Sequence, residues 1–189
     1  MARPREFDND KVLTALRDVF WEHGYDGTSY ANIMSATGLQ KGSLYAAFGD
    51  KRSLYHEALR HYDAENVNDT ITMLSNESLT GEERIANLMQ SLADAAQTKR
   101  GRWGCFLCNA AVDQAPFHEP TEKIVVQSMT RMKAGIAKAL KLTRAADKVE
   151  LVWTLYFGGR VIIKSGGSKA TLMAIKEQVL SLITPPLEA

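Results

Sequence analysis

From Asp10 to Ile183 the apolar residues recur every three or four positions, and nowhere do they alternate as a half-buried strand requires. That pattern confines the chain to an all-α fold, and the residues between the apolar runs divide it. Val12, Leu16, Val19, Phe20 and His23 share one face of a first helix, stopped by Gly24 because glycine adopts the left-handed C′ conformation at little cost. Ser29 is placed to cap a second helix bearing Ile33 and Ala36, which Gly38-Leu39 breaks. Gln40 to Phe48 forms a third. Asp50 caps a fourth, with Leu54, Ala58 and Tyr62 on one stripe, running to about Leu74. Thr80 caps a fifth through Ile85, Leu88, Met89 and Leu92. The basic connection "TKRGRWG" leads into a sixth over "CFLCNAAVDQ", which stops before Pro116. Pro120 sits where a first-turn proline is tolerated and opens a seventh helix to about Leu142. Two more run from about Ala145 to Lys164 and from Ser168 to Ile183, which makes about nine.

A chain of 189 residues with 45% hydrophobic and 24% charged residues can bury a core and remain soluble. No apolar run approaches the roughly 20 residues that span a bilayer. The opening Met-Ala-Arg-Pro-Arg lacks the apolar centre of a signal peptide. A cytoplasmic protein with no membrane partner is expected, its two cysteines free thiols. The net charge of +1 is uninformative, and residues 1–60 carry eight Lys/Arg against eight Asp/Glu. A nucleic-acid surface would have to be a local patch.

Two helices joined by a short glycine-containing turn are the signature of a helix-turn-helix, whose second helix enters the major groove. The stretch "TGLQKGSLYAAFGDK", Thr37 to Lys51, fits that use. Gly42 lets backbone approach phosphate or base edges, and the amides at the helix start favour an anion. Lys41 and Lys51 bracket the helix, Gln40, Ser43 and Tyr45 offer hydrogen-bonding groups outward, and Leu44 and Phe48 face the core. From spacing alone, a solvated turn with no ligand stays open.

Phe20 to Leu59, "FWEHGYDGTSYANIMSATGLQKGSLYAAFGDKRSLYHEAL", resembles the DNA-binding domain of TetR-family transcriptional regulators. The family pattern of Gly-Tyr, a Thr pair, Ile, Gly-Val, Ser-Lys-Gly-Thr-Leu-Tyr, Phe and a following Lys is matched across the motif. The resemblance implies an N-terminal three-helix helix-turn-helix domain, residues 1–52, and a C-terminal ligand-sensing and dimerisation domain, residues 53–189. It places Gln40, Lys41, Gly42, Ser43 and Tyr45 at the groove and backbone, and Tyr30 and Lys51 at phosphate. It also implies a double-stranded operator of near-palindromic sequence, bound by a homodimer that pairs through the last two helices, most often to repress. Three residues depart from the pattern: Ala46 and Ala47 replace bulkier or basic side chains, Met34 must pack in the domain core, and Gln40 replaces Ser. Arg3 and Arg5 are either a phosphate-binding arm or ordinary solvated charges.

In the second domain Val149, Val152, Trp153, Tyr156, Phe157, Val161 and Ile163 make a helix apolar around much of its circumference, more than one small core needs. Gly158-Gly159 permits close helix approach, between subunits or within one. The opening Gly104, Cys105 and Asn109 resembles a subset of TetR-like regulators with a Gly-Cys-x-x-x-Asn motif, some of which respond to oxidants or electrophiles. The inducer is accordingly an unknown small molecule or electrophile. Cys105, near a helix start and close to Lys99, Arg100 and Arg102, is a candidate reactive thiol. The plainer alternative makes Cys105 and Cys108 small buried hydrophobes. Candidate ligand-binding residues are Trp103, Cys105, Phe106, Asn109, Phe117, Trp153 and Tyr156, with Met129 also in reach and Asp113, His118 or Arg160 as polar handles. No cofactor and no metal are expected: Cys105, Cys108 and His118 lack zinc spacing and a fourth ligand. Two other functions stand beside the regulator. One is a helical thiol enzyme using Cys105 with His118. The other is a helix-turn-helix used only for protein contacts.

Overall fold

The computed structural model describes residues 8–141 and 143–184, and among them every regular element is a helix. Arg3 and Arg5 lie outside the described residues. Helix α1 (Asn9–Gly27) starts on Asp8, whose side chain accepts from the amides of Asp10 and Lys11. Gly24 kinks α1 rather than ending it: its φ of 72° breaks the helical path, and the last turn closes at Thr28. The buried face carries Val12, Leu16, Val19 and Phe20, whereas His23, expected on that face, is exposed.

Helix α2 (Tyr30–Thr37) begins with a capping box between Ser29 and Asn32 and ends on Gly38 in the left-handed conformation. Met34 is only partly buried, against the core rather than in it. Helix α3 (Lys41–Phe48) follows directly, and Asp50 then caps α4 (Lys51–Tyr62) by accepting from the Ser53 amide at 2.8 Å.

The expected fourth rod to Leu74 is present but not uniform. A π-helical turn, Asp63–Val67, joins α4 to α5 (Asn68–Leu74) with helical backbone throughout. Arg131 clasps both ends of that turn, on Asp63 and Asn68. On the other side the buried Arg17 pairs with Glu65. Glu65 also faces His61, beside Asp10, in a small cluster of possible cation ligands, but the Arg17 guanidinium already answers its charge.

The remaining helices are α6 (Gly81–Ala95), α7 (Phe106–Asp113), α8 (Glu119–Leu140), α9 (Val149–Lys164) and α10 (Lys169–Ile183). Counting α4, the π turn and α5 as one rod, the described residues form nine helices. Thr80 caps α6 as expected, Ser168 proves to be the cap of α10, and Pro120 stands in the first turn of α8. Three short 3₁₀ turns occupy stretches read as loop or helix end: Gly101–Trp103, Ala115–Phe117 and Ala146–Lys148. The last of these delays α9 to Val149, and Ala115–Phe117 ends α7 before Gln114.

An aromatic junction ties α1 and α4 to the C-terminal helices. Tyr55 meets Phe20 at 5.3 Å and Phe106 at 5.6 Å, while Trp21 meets Tyr62 at 4.9 Å and Trp103 at 5.5 Å, all edge-on. Edge-to-face pairs of this kind add about 0.5–1.5 kcal/mol each beyond area burial.

Candidate DNA interface and sensing cavity

Helix α3 is anchored by Leu44, which is fully buried, with Phe48 partly buried against the core as expected, while Gln40, Lys41, Gly42, Ser43 and Tyr45 are exposed. A Cβ on Gly42 would meet nothing within 4 Å, so that position faces open space. The N-cap residue Gln40 makes no side-chain cap bond. The first-turn amides of α3 are therefore left for an outside acceptor.

Cations and aromatics interleave beside it. The Tyr30 and Tyr45 rings stack at 5.4 Å, and the Lys41 Nζ lies 4.6 Å above the first and 5.6 Å from the second. The Tyr30 hydroxyl is pushed up to about 12 by burial first and by the neighbouring Tyr45 next, so it stays a donor at neutral pH. Lys51 lies over the Tyr25 ring at 4.5 Å, and the Arg52 guanidinium stands 3.6 Å from the same ring. A domain with balanced total charge thus concentrates Lys41, Lys51 and Arg52 on tyrosine faces.

Arg52 also reaches the end of α7. Its Nη1 donates to Gln114 Oε1 at 2.6 Å, and Gln114 Nε2 donates to Asp26 Oδ2 at 3.0 Å. Gln114 is buried and closes α7. One amide therefore bridges α7, α4 and the end of α1. Beside it His56 Nε2 lies 3.0 Å from the Thr121 hydroxyl, which is 3.3 Å from His118 Nδ1. Burial, with His118 and nearby arginines, lowers His56 to about 4.

A cavity of about 210 Å³ opens between α7 and α9, lined by Cys105, Cys108, Asn109, Val112, Asp113, Arg160, Val161 and Lys164. Of the sequence-derived candidates, Cys105, Asn109, Asp113 and Arg160 come together there. Trp103 contributes instead to the aromatic junction, and its carbonyl accepts from Asn109 Nδ2 at 3.0 Å. Phe106 is buried between Tyr55 and Tyr62. Tyr156 is buried behind the cavity, its hydroxyl accepting from Arg160. Trp153 packs on Phe157, Met129 is partly buried against the core, and Phe117 stands 85% exposed. His118 is engaged with Thr121 and His56, while Cys105 faces Tyr62, Cys108 and Arg160.

Cys105 is the N-cap residue of α7, and Cys108 lies three positions on. The Cys108 thiol donates toward the Cys105 sulfur, Arg160 adds positive charge, and the Tyr62 hydroxyl donates to Cys105 Sγ at 3.7 Å. Together these outweigh burial and lower Cys105 to about 6, while Cys108 is pushed far up by the same contact. Lys99 and Arg100, expected to polarise Cys105, pair instead with Glu22 and Asp18 on α1.

The comparisons with known proteins agree with this geometry. The family model "Bacterial regulatory proteins, tetR family" matches residues 12–58. The uncharacterized HTH-type transcriptional regulator YezE of Bacillus subtilis is 32% identical over 153 residues, 80% of this chain and 76% of that protein. The HTH-type transcriptional repressor ComR of Escherichia coli is 32% identical over 114 residues, 60% of this chain and 54% of that protein. Among solved structures, a cysteine mutant of the TetR-family regulator CifR complexed with 26-base-pair operator DNA superimposes with a TM-score of 0.78. It is 28% identical and covers 95% of this chain and 98% of its own. The chain belongs to the TetR family of bacterial regulatory proteins. It is a DNA-binding transcriptional regulator.

Tyr25, Arg52, Val112, Gln114 and Lys164 are working parts that the sequence did not single out. For Arg52 and Gln114 a signal existed, since each is a polar residue at the end of an otherwise apolar helix face. For Val112 and Lys164 there was none, because only the crossing of α7 and α9 turns them toward one space.

Proposed function

We propose that the chain is a ligand-controlled repressor that binds a near-palindromic operator as a homodimer, with residues 1–52 reading DNA and 53–189 sensing and dimerising. The observation that carries this is the outward face of α3, where Gln40, Lys41, Gly42, Ser43 and Tyr45 stand clear of a buried Leu44. In this reading Tyr30 and Lys51 flank that face on phosphate. The repressor sense is supported by ComR, which is named a repressor.

Dimerisation through α9 and α10 is supported by an outward stripe on α9. Leu151, Thr154, Leu155, Gly158 and Ile162 follow helical spacing, are exposed or partly exposed, and include no charge. A Cβ on Gly158 meets nothing, whereas one on Gly159 would lie 2.6 Å from Leu92 Cδ1. Gly159 thus serves packing within the subunit, and Gly158 leaves room for a partner helix.

The inducer would enter the cavity between α7 and α9, with Cys105 as its reactive or contacting thiol. Movement of α7 then reaches the DNA-binding helices through Gln114, which holds Arg52 and Asp26. A shift of a few kcal/mol between spacings of the two reading helices is enough to release DNA.

The test is binding to random duplex DNA across a salt series, followed by selection of fragments from the source genome. A steep fall in affinity with salt is expected. Absence of binding at low salt, or a particle that stays monomeric at high concentration, refutes the reading.

A further inference from the structure

The cavity beside Cys105 contains a cation that no carboxylate among the described residues pairs with. Arg160 projects from α9, and its Nε and Nη2 both donate to the Tyr156 hydroxyl, at 3.2 and 2.7 Å. A phenol is a neutral acceptor, so it leaves the guanidinium charge to the nearby Cys105 sulfur alone, and Nη1 engages no acceptor among the described residues. Lys164, one turn further along α9, reaches the same space and donates to Asn109 Oδ1 at 2.8 Å, again a neutral partner. Asp113 is the one carboxylate in the lining, and its Oδ2 lies 4.0 Å from where a Cβ on Gly24 would stand, toward α1. The Cys105 sulfur, when ionised, answers one positive charge and leaves the other. The mouth is apolar: Val112 is 75% exposed and Val161 59%.

We propose that this cavity binds a short-chain organic monocarboxylate, with its carboxylate on Arg160 and Lys164 and its alkyl body between Val112 and Val161. A forked guanidinium suits the two oxygens of a carboxylate. At about 210 Å³ the space is smaller than the roughly 300–1,000 Å³ that takes drug-sized ligands, so the molecule is small. A phosphate dianion asks for more donors than one fork and one ammonium, on walls that are largely apolar. The inference names the ligand class of the sensing cavity and rests on that reading for its effect on DNA, not for binding itself.

The experiment uses the full chain with butanoate and hexanoate, their amides, and inorganic phosphate, read by calorimetry and thermal shift. The acids are expected to bind saturably and at least tenfold tighter than the amides, with phosphate weaker than either acid. Arg160→Gln is expected to lose at least tenfold in acid affinity. Because Arg160 also steadies Tyr156, two surface variants guard against misfolding. Lys164→Gln should lose severalfold, and Val112→Glu, at an exposed rim position, should abolish acid binding by repulsion. Cys105→Ser should bind the acids at least as tightly, since it frees Arg160 of the thiolate. Amides that match the acids, phosphate that matches them, or acid binding unchanged in Arg160→Gln and Val112→Glu would each overturn the proposal. Acids that bind as described but leave operator affinity unchanged would uphold it and count against ligand control of DNA binding.

Discussion

Replacing Gln114 tests whether the two halves of the molecule are mechanically joined at one amide. Its oxygen accepts from Arg52 and its nitrogen donates to Asp26, so a single neutral group satisfies a cation on α4 and an anion at the end of α1. Hydrogen bonds to charged groups contribute about 1.5–3 kcal/mol each. Asp26 is exposed and Arg52 half-buried, so both regain water when the amide is removed, which brings the cost of Gln114→Leu to or below the floor of the sum. We expect a loss of about 2–3 kcal/mol, and a fall in melting midpoint of roughly 4–12 °C for a chain of this size. Gln114→Glu separates the two bonds, because a carboxylate keeps Arg52 but repels Asp26. Its stability should lie between the wild type and Gln114→Leu. The functional readout is operator affinity before and after alkylation of Cys105. A coupling of about 1–3 kcal/mol in the wild type should shrink toward zero in Gln114→Leu. If Gln114→Leu melts with the wild type and keeps the full response, α7 does not act on the DNA-binding helices through this residue, and the transmission argument fails.

Neighbouring glycines on α9 should behave oppositely. Gly158→Leu is expected to leave the fold intact and raise the dimer dissociation constant at least tenfold by sedimentation, while Gly159→Ala should destabilise by about 1–2 kcal/mol through overpacking against Leu92, measured by urea unfolding. Lys41→Ala and Lys51→Ala should weaken operator and random DNA alike and each reduce the salt slope by about one, whereas Ser43→Ala should act mainly on the operator. His56 binds its proton only near pH 4 in the folded chain but at an ordinary value when unfolded, so stability is lost as pH falls from 6.5 toward 4; His56→Gln should flatten that slope in unfolding curves. Alkylation of Cys105 should follow a midpoint near pH 6, well below a free thiol, and a midpoint above 8 would remove the reactive-thiol reading.

Local punctuation made most of the helices legible. Ser29, Asp50, Thr80 and Ser168 all cap the helices they precede, because a side-chain oxygen answering a first-turn amide is a local interaction that spacing reveals. The outward residues of α3 were legible for a similar reason, since Leu44 sets the face and its neighbours follow. The π turn was not. Leu54, Ala58 and Tyr62 continue an ordinary stripe, and the extra residue is stabilised from afar, by Arg131 on α8 and Arg17 on α1. The cavity was half legible. Cys105 and Asn109 announced themselves by motif, but aromatic residues at helical spacing filled the core instead: Phe106 and Tyr156 are buried, and Trp103 lies against Trp21.

An α-helix advances about 100° per residue, so the one surplus residue in Asp63–Val67 swings everything beyond it by roughly that angle. Leu74, beyond the turn, is fully buried in the core. Deleting a single residue there would restore ordinary α-helical spacing, yet it would turn α5 out of its seat on α6 and α8. The long helix is therefore intolerant of length change at its middle, although its two flanking segments are ordinary α-helix.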